Sequence, residues 1–172
     1  MRKPDKHLLV RTALSRGFTI LELVIVIAIF AILTSIVVAR TVGVSGRARD
    51  VERIEDIASI GRQLEDVYST KKLGTPTYPD TVQITGTVVF KGVDPETLKS
   101  PKASSSSITA ASNANTSTSG ITPSPTTSQY VYQPLTSLGA LCTSGLECVR
   151  YNLYYRTETD NTVWQEKSLH QQ

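Results

Sequence analysis

The chain has 172 residues, 40% of them hydrophobic and 19% charged, with a formal net charge of +3. That length fits one domain, or one domain with an appendage. The positive excess lies wholly at the start, where Arg2, Lys3, Lys6, Arg11 and Arg16 stand against Asp5 alone, so the remainder is close to neutral and does not suit bulk nucleic-acid binding.

Residues 1–17 read as a basic leader with only Leu8-Leu9-Val10 as an apolar patch. A secretory signal carries its apolar core before the cleavage site, whereas here Gly17 precedes it. A cut at Gly17-Phe18 therefore leaves the apolar run with the mature chain. Residues 18–39 make about 22 residues without Pro or Gly, about 33 Å as a helix, which matches the hydrocarbon thickness. The basic cluster predicts a cytoplasmic N-terminus and an exported remainder. Glu22 is the exception in this run. A carboxylate in hydrocarbon costs roughly 2.5–3.5 kcal/mol and needs a partner. The amine that a cut creates on Phe18 lies one helical turn away, on the same face. An uncleaved signal anchor explains the topology and leaves Glu22 unexplained.

The run Gly17-Phe18-Thr19-Ile20-Leu21-Glu22-Leu23 resembles the processing motif of type IV pilins and of the pseudopilins of type II secretion. The resemblance is strong over residues 11–39 and looser to about Tyr68. It implies cleavage after Gly17 by prepilin peptidase, N-methylation of Phe18, and a role for Glu22 in setting the axial register of subunits during assembly. It implies as partners other copies of the chain, an assembly platform protein, an assembly ATPase and other pilins, with the membrane as the site before assembly. Many pilins carry a Pro near the position of Ala39 and a Gly near that of Ala31. With alanine at both, any break in the helix is expected at Val42 to Gly46, where Gly43 and Gly46 weaken it.

Residues 40–74 turn amphipathic. Val44, Val51, Ile54, Ile57, Ala58, Gly61, Leu64, Val67 and Tyr68 recur at three and four residues and read as the face packed on a head. Arg53 with Asp56 and Arg62 with Asp66 are placed to pair along the helix. The charges read as a solvated face. Leu73-Gly74 and Thr75-Pro76 are expected to end the helix.

Residues 75–172 read as a head. Val82-Gln83-Ile84 and Thr87 to Phe90 look like short strands around Gly86, and Asp94-Pro95-Glu96 like a turn into a short helix ending near Lys99. Residues 100–128 are more than half Ser and Thr and read as a mobile surface loop with nothing large enough to bury. Asn115-Thr116-Ser117 matches an N-glycosylation acceptor at low specificity. Tyr130-Val131-Tyr132 resumes strand character. Val149, Tyr151, Leu153 and Tyr155 alternate with Arg150, Asn152, Tyr154 and Arg156, a half-buried strand. Residues 158–161 turn and residues 162–165 return as the second arm of a hairpin. The expected fold is α+β: a long N-terminal helix, its first half transmembrane, packed on a small antiparallel sheet.

Cys142 and Cys148 are expected to form a disulfide in an exported chain, with free buried thiols or half a metal site as the alternatives. A metal site finds little support, since His7 and His170 lie at opposite ends. Asp80, Asp94, Glu96, Glu158 and Asp160 offer oxygen for Ca²⁺ without the regularity of an EF-hand. No phosphate loop, metal-spaced cluster or nucleophile–base–acid set appears, so neither enzyme activity nor a cofactor is expected. The leading expectation is a structural subunit of a type IV pilus-like filament at the cell surface. A type II secretion pseudopilin or a minor pilin is the alternative. A monomeric anchored protein whose head binds a surface is a third reading, and it requires an intact leader.

Overall fold

The computed structural model describes residues 18–86 and 88–170. The leader 1–17, with Gly17, and Thr87 within the second expected strand lie outside the described residues. Helix α1 spans Ile20–Ser69, 50 residues. Its helical assignment runs through both Gly43 and Gly46, so the break expected at Val42 to Gly46 is absent. The C-terminal stop is Lys71, three residues before the expected glycine. Lys71 adopts a positive φ of 53°, Lys72 N–H donates to Val67 O at 3.2 Å, and Lys71 N–H donates to Tyr68 O at 3.3 Å. Those two bonds are the Schellman pattern and satisfy carbonyls of the last turn.

Two compact units divide the chain, residues up to Thr41 and residues from Val42 on. In the first, Ile20–Val38 is long and apolar enough to cross a membrane, and none of it is buried within the chain. Its hydroxyls are satisfied locally: Thr34 Oγ1 donates to Phe30 O at 2.7 Å and Ser35 Oγ to Ile32 O at 2.7 Å. A lipid environment requires such internal pairing.

The second unit holds a four-stranded sheet in the order β1-β2-β3-β4. The strands are β1 (Ile108–Ala110), β2 (Tyr130–Leu135), β3 (Arg150–Arg156) and β4 (Val163–Lys167). The hairpin β3–β4 is antiparallel as expected, with Tyr155 opposite Trp164. The sheet is mixed, however, because β1 pairs with β2 in parallel, Ile108 opposite Tyr130. A parallel pair needs a crossover of a dozen or more residues, and the Ser/Thr-rich segment supplies it. That segment is therefore part of the fold. Ser107 N–H and side chain, Ile108 and Ile121 are drawn inside it, and Ile108 and Ile121 are both buried. The expected strands at 82–84 and 87–90 are also corrected: Gln83–Thr85 is a 3-10 turn, and 88–90 is a turn. Pro95–Leu98 is the short helical turn the sequence indicates, with Asp94 Oδ1 accepting from Glu96 N–H at 3.0 Å.

One face of the sheet packs on α1. Ile57, Ile60, Leu64 and Val67 meet Tyr130, Tyr132, Tyr151 and Leu153, with Tyr78, Ile84, Val89 and Ile108 at the margins. The other face is covered by the crossover, where Ala111 and Ile121 meet Val131 and Tyr154. Tyr151, Asn152, Leu153 and Tyr154 are consequently all buried, and the half-buried alternation expected for β3 does not hold.

Candidate functional site

At the start of α1, Thr19 and Glu22 cap each other. Glu22 N–H donates to Thr19 Oγ1 at 3.2 Å, and Thr19 N–H lies 3.5 Å from Glu22 Oε2. This is a capping box, in which each side chain satisfies an N–H left without an intrahelical partner. The spacing Thr19-x-x-Glu22 is its sequence signature, which the reading of Glu22 as an isolated charge missed. The carboxylate is thereby turned back toward the helix N-terminus, where Phe18 stands exposed. The helix dipole favours a negative charge there.

Toward the head, the face of α1 inferred from apolar spacing is rotated. Val44, Val51, Ile54 and Ala58 are exposed, and the inward positions belong to Asp50, Arg53 and Asp56, followed by Ile57, Ile60, Leu64 and Val67. Arg53 is fully buried. It donates to Asp50 Oδ1 at 2.7 Å and to Thr127 O at 3.0 Å, and lies 3.4 Å from Glu158 Oε2. Asp50 also accepts from Glu158 N–H, Thr159 N–H and the Thr159 hydroxyl. Burial pushes its carboxyl up, but these donors and Arg53 outweigh that and hold it below its ordinary value. Glu158 receives both arms of Arg49, at 2.8 and 2.7 Å, and Lys102 at 2.6 Å. Those hydrogen bonds hold its carboxyl well below the usual carboxylate range. The cluster ties three segments together: the start of the head half of α1, the β3–β4 turn, and the Ser/Thr crossover. The signal in the sequence was the i, i+3 pattern Asp50-Arg53-Asp56 running into Ile57 and Ile60.

The helical pairs expected from sequence are exchanged accordingly. Arg53 pairs with Asp50 and not Asp56, Arg62 donates to Ser59 Oγ at 2.7 Å, and Asp66 pairs with Lys72 at 2.6 Å. Asp56 instead accepts from the Tyr130 hydroxyl at 2.8 Å. Burial lifts its carboxyl to about 6, against the lowering effect of that bond.

Cys142 and Cys148 are joined in a disulfide, and both are buried. Tyr78 N–H donates to Cys148 O at 2.8 Å, and Thr81 N–H to Cys142 O at 3.3 Å. The bridge thus holds the segment that leaves α1. The acids considered for calcium are engaged elsewhere: Asp80 Oδ1 accepts from Val82 and Gln83 N–H, Asp94 caps its 3-10 turn, Glu96 pairs with Lys99 at 2.6 Å, Glu158 is in the Arg49 pair, and Asp160 accepts from the Thr157 hydroxyl. Among the described residues, no group of three or more His, Cys, Asp or Glu is placed to hold a metal ion. An open cleft of about 500 Å³ is lined by Ile84, Phe90, Val93, Pro95, Leu98 and Ile108 and carries no ionisable side chain.

Comparison with known proteins bears on the first part of this arrangement. Residues 13–38 match the family model of the prokaryotic N-terminal methylation motif. The chain is 39% identical over 80 residues to type II secretion system core protein G of Dickeya chrysanthemi, a match covering 46% of this chain and 50% of that protein. The chain thus spans about half the length of the curated relative it matches. No solved structure matches it.

Proposed function

We propose that this chain, which carries the prepilin-type N-terminal motif and the helix-and-sheet architecture of pilins and pseudopilins, is a structural subunit of a type II secretion pseudopilus. Proteins of that group are structural subunits and not enzymes. The observation that carries the reading is the 39% identity to core protein G. The apolar stretch Ile20–Val38 anchors the precursor in a membrane, with the basic leader on the cytoplasmic side and the head exported. Prepilin peptidase cuts between Gly17 and Phe18 and methylates Phe18. Residues 18–39 then leave the lipid and bury one another in the filament, residues 40–74 carry the helix into the head, and residues 75–172 form its outside. Glu22, already turned toward the N-terminus, pairs with the new Phe18 amine of its own or a neighbouring copy and sets the axial register. An assembly ATPase, a membrane platform protein and other pilins complete the machine.

A second reading, subunit of a surface type IV pilus, draws on the exposed Ser/Thr tip at residues 114–119, an uncharged patch suited to a filament's outside. Deletion of the chain in its host separates the two. Loss of protein export with surface filaments intact supports the pseudopilus, and loss of the surface filaments supports the pilus. Mass spectrometry of the cell-associated protein tests what both share: an N-methylated Phe18 is expected, and an intact leader overturns both in favour of a monomeric anchored protein.

A further inference from the structure

The crossover between β1 and β2 holds two asparagines two residues apart, and the fold uses them differently. Asn113 closes the loop. Its Nδ2 donates to Gly120 O at 2.8 Å and to Thr122 Oγ1 at 3.1 Å, and its Oδ1 accepts from Thr122 N–H at 3.2 Å. Asn115 is tied to the head through its backbone, its carbonyl accepting from Nε2 of the buried Gln133 at 3.0 Å. Its side chain belongs to the exposed tip, residues 114–119. There Oδ1 accepts from Ser117 N–H at 3.0 Å and from the Ser117 hydroxyl at 2.9 Å. Nδ2 of Asn115 donates to none of the described residues. It lies over Gly120, in space that a Cβ at that position would occupy.

Of the four asparagines in the chain, Asn115 alone has a Ser or Thr two residues on without an intervening Pro. That triplet is the acceptor for N-linked sugar in exported proteins. The chemistry explains why it needs the second polar residue. An amide nitrogen is a poor nucleophile, because its lone pair is shared with the carbonyl. Loss of an N–H proton places the charge largely on the oxygen, and donors already aimed at that oxygen stabilise it. Ser117 supplies two such donors to Oδ1, its N–H and its hydroxyl. The folded tip therefore holds the acceptor amide with its oxygen engaged and its nitrogen unspent.

We propose that Asn115 is the attachment site of an N-linked glycan, carried at the tip of the crossover. Nδ2 attacks the anomeric carbon of a sugar carried on a lipid pyrophosphate. The bond from that carbon to the pyrophosphate oxygen breaks, and the lipid pyrophosphate leaves with the electron pair. The amide proton passes to a base of the transferase, and nothing is oxidised or reduced. A bulky, hydrated group fits here because the tip is exposed, while Gln133 and the Ser112–Thr122 pair hold its base. The proposal rests on the filament-subunit reading for one condition, the export of the head.

Mass spectrometry of the full chain taken from its host tests it. Trypsin releases residues 103–150 as one peptide, which carries the tip and the Cys142–Cys148 bridge. A form of that peptide heavier by a series of sugar residues is expected, with fragmentation that retains the sugar placing it on Asn115. Asn115→Gln and Ser117→Ala are each expected to abolish the heavier form, whereas Ser117→Thr, which keeps a hydroxyl, is expected to retain it. An unmodified peptide from the parent chain overturns the site. So does a sugar mass that survives Asn115→Gln, since it then sits on a Ser or Thr hydroxyl. The N-terminal peptide of the same digest separates the two levels. An N-methylated Phe18 beside an unmodified 103–150 peptide sinks this site and leaves the filament reading standing, and an intact leader sinks the filament reading itself.

Discussion

The Arg53 side chain is fully buried, and its position is held by partners from three segments. Removing one side of such a buried pair leaves the other uncompensated, at a cost of about 3–5 kcal/mol. Arg53→Ala is therefore expected to lower the stability of the head by about 3 kcal/mol or more, read as a drop in the urea midpoint of the detergent-solubilised chain. An Arg53→Met variant, which keeps the stem, is expected to lose nearly as much, since the loss lies in Asp50 and not in packing. Asp56 sets a different pattern. Its folded carboxyl titrates at about 6, above the ordinary unfolded value near 4, so the folded state holds that proton more tightly. Stability contributed there is present below about pH 4 and is lost as pH rises through about 6. Asp50 and Glu158 have the opposite sign: their contribution is present above the ordinary carboxylate range and is lost as pH falls below it. Asp56→Asn keeps an acceptor for Tyr130 and removes the first slope. It is expected to raise the unfolding midpoint at pH 8 and leave it nearly unchanged at pH 4, a difference that a pH series of urea titrations measures.

Elements differ in how far the sequence exposed them. The β3–β4 hairpin was legible because its residues alternate and its turn is polar, and α1 was legible by length and by the absence of proline. The orientation of α1 was not, because apolar spacing points to Val51 and Ile54 while a satisfied arginine outcompetes them for the interior. The Ser/Thr crossover was illegible for another reason. Composition suggested a chain with nothing to bury, yet Ala111, one isoleucine, Ile121, and a glutamine from the neighbouring strand β2 suffice. Gln133 is fully buried, donates to Asn113 O at 2.9 Å and Asn115 O at 3.0 Å, and accepts from Asn152 and Tyr154. Such a network is valuable when complete and costly when broken. Gln133→Leu is expected to release residues 112–122 while the helix-facing core survives, seen as new proteolytic cleavage confined to that segment. The disulfide acts on a different loop. Its short span gives roughly 2 kcal/mol by chain entropy, so Cys142→Ser/Cys148→Ser is expected to lower the unfolding free energy by about that amount, without moving the proteolysis pattern at 112–122.

For the whole molecule, the polar N-terminal cap and the apolar stretch after it have separate duties. Glu22→Ala removes the capping partner of Thr19 and the proposed counter-charge of Phe18, yet lowers the cost of residing in lipid. The variant is therefore expected to be inserted and to lose its leader normally while failing to enter filaments. Membrane fractionation, leader loss by mass and microscopy of filaments read the three steps apart. Unchanged filament assembly by Glu22→Ala excludes Glu22 as the register mark. Candidate site residues were legible in proportion to their chemistry. Glu22 stood out as a charge in an apolar run, and the two cysteines by their closeness. Asp50 and Arg53 were hidden because charges on a helix carry no pattern until the covered face of the helix is known.

The anchoring of the crossover from beneath has a practical side. Residues 114–119 are exposed at the tip, while Ser112 N–H and Thr122 O pair across its base at 2.7 Å. The ends of the tip are thus fixed by atoms that an insertion at 116–117 leaves in place, and lengthening a closed loop costs little, about 0.6 kcal/mol per doubling. A short epitope or fluorogenic tag grafted at that point would ride on every head of the proposed filament, making the chain a display scaffold whose cargo density would follow the spacing of the copies.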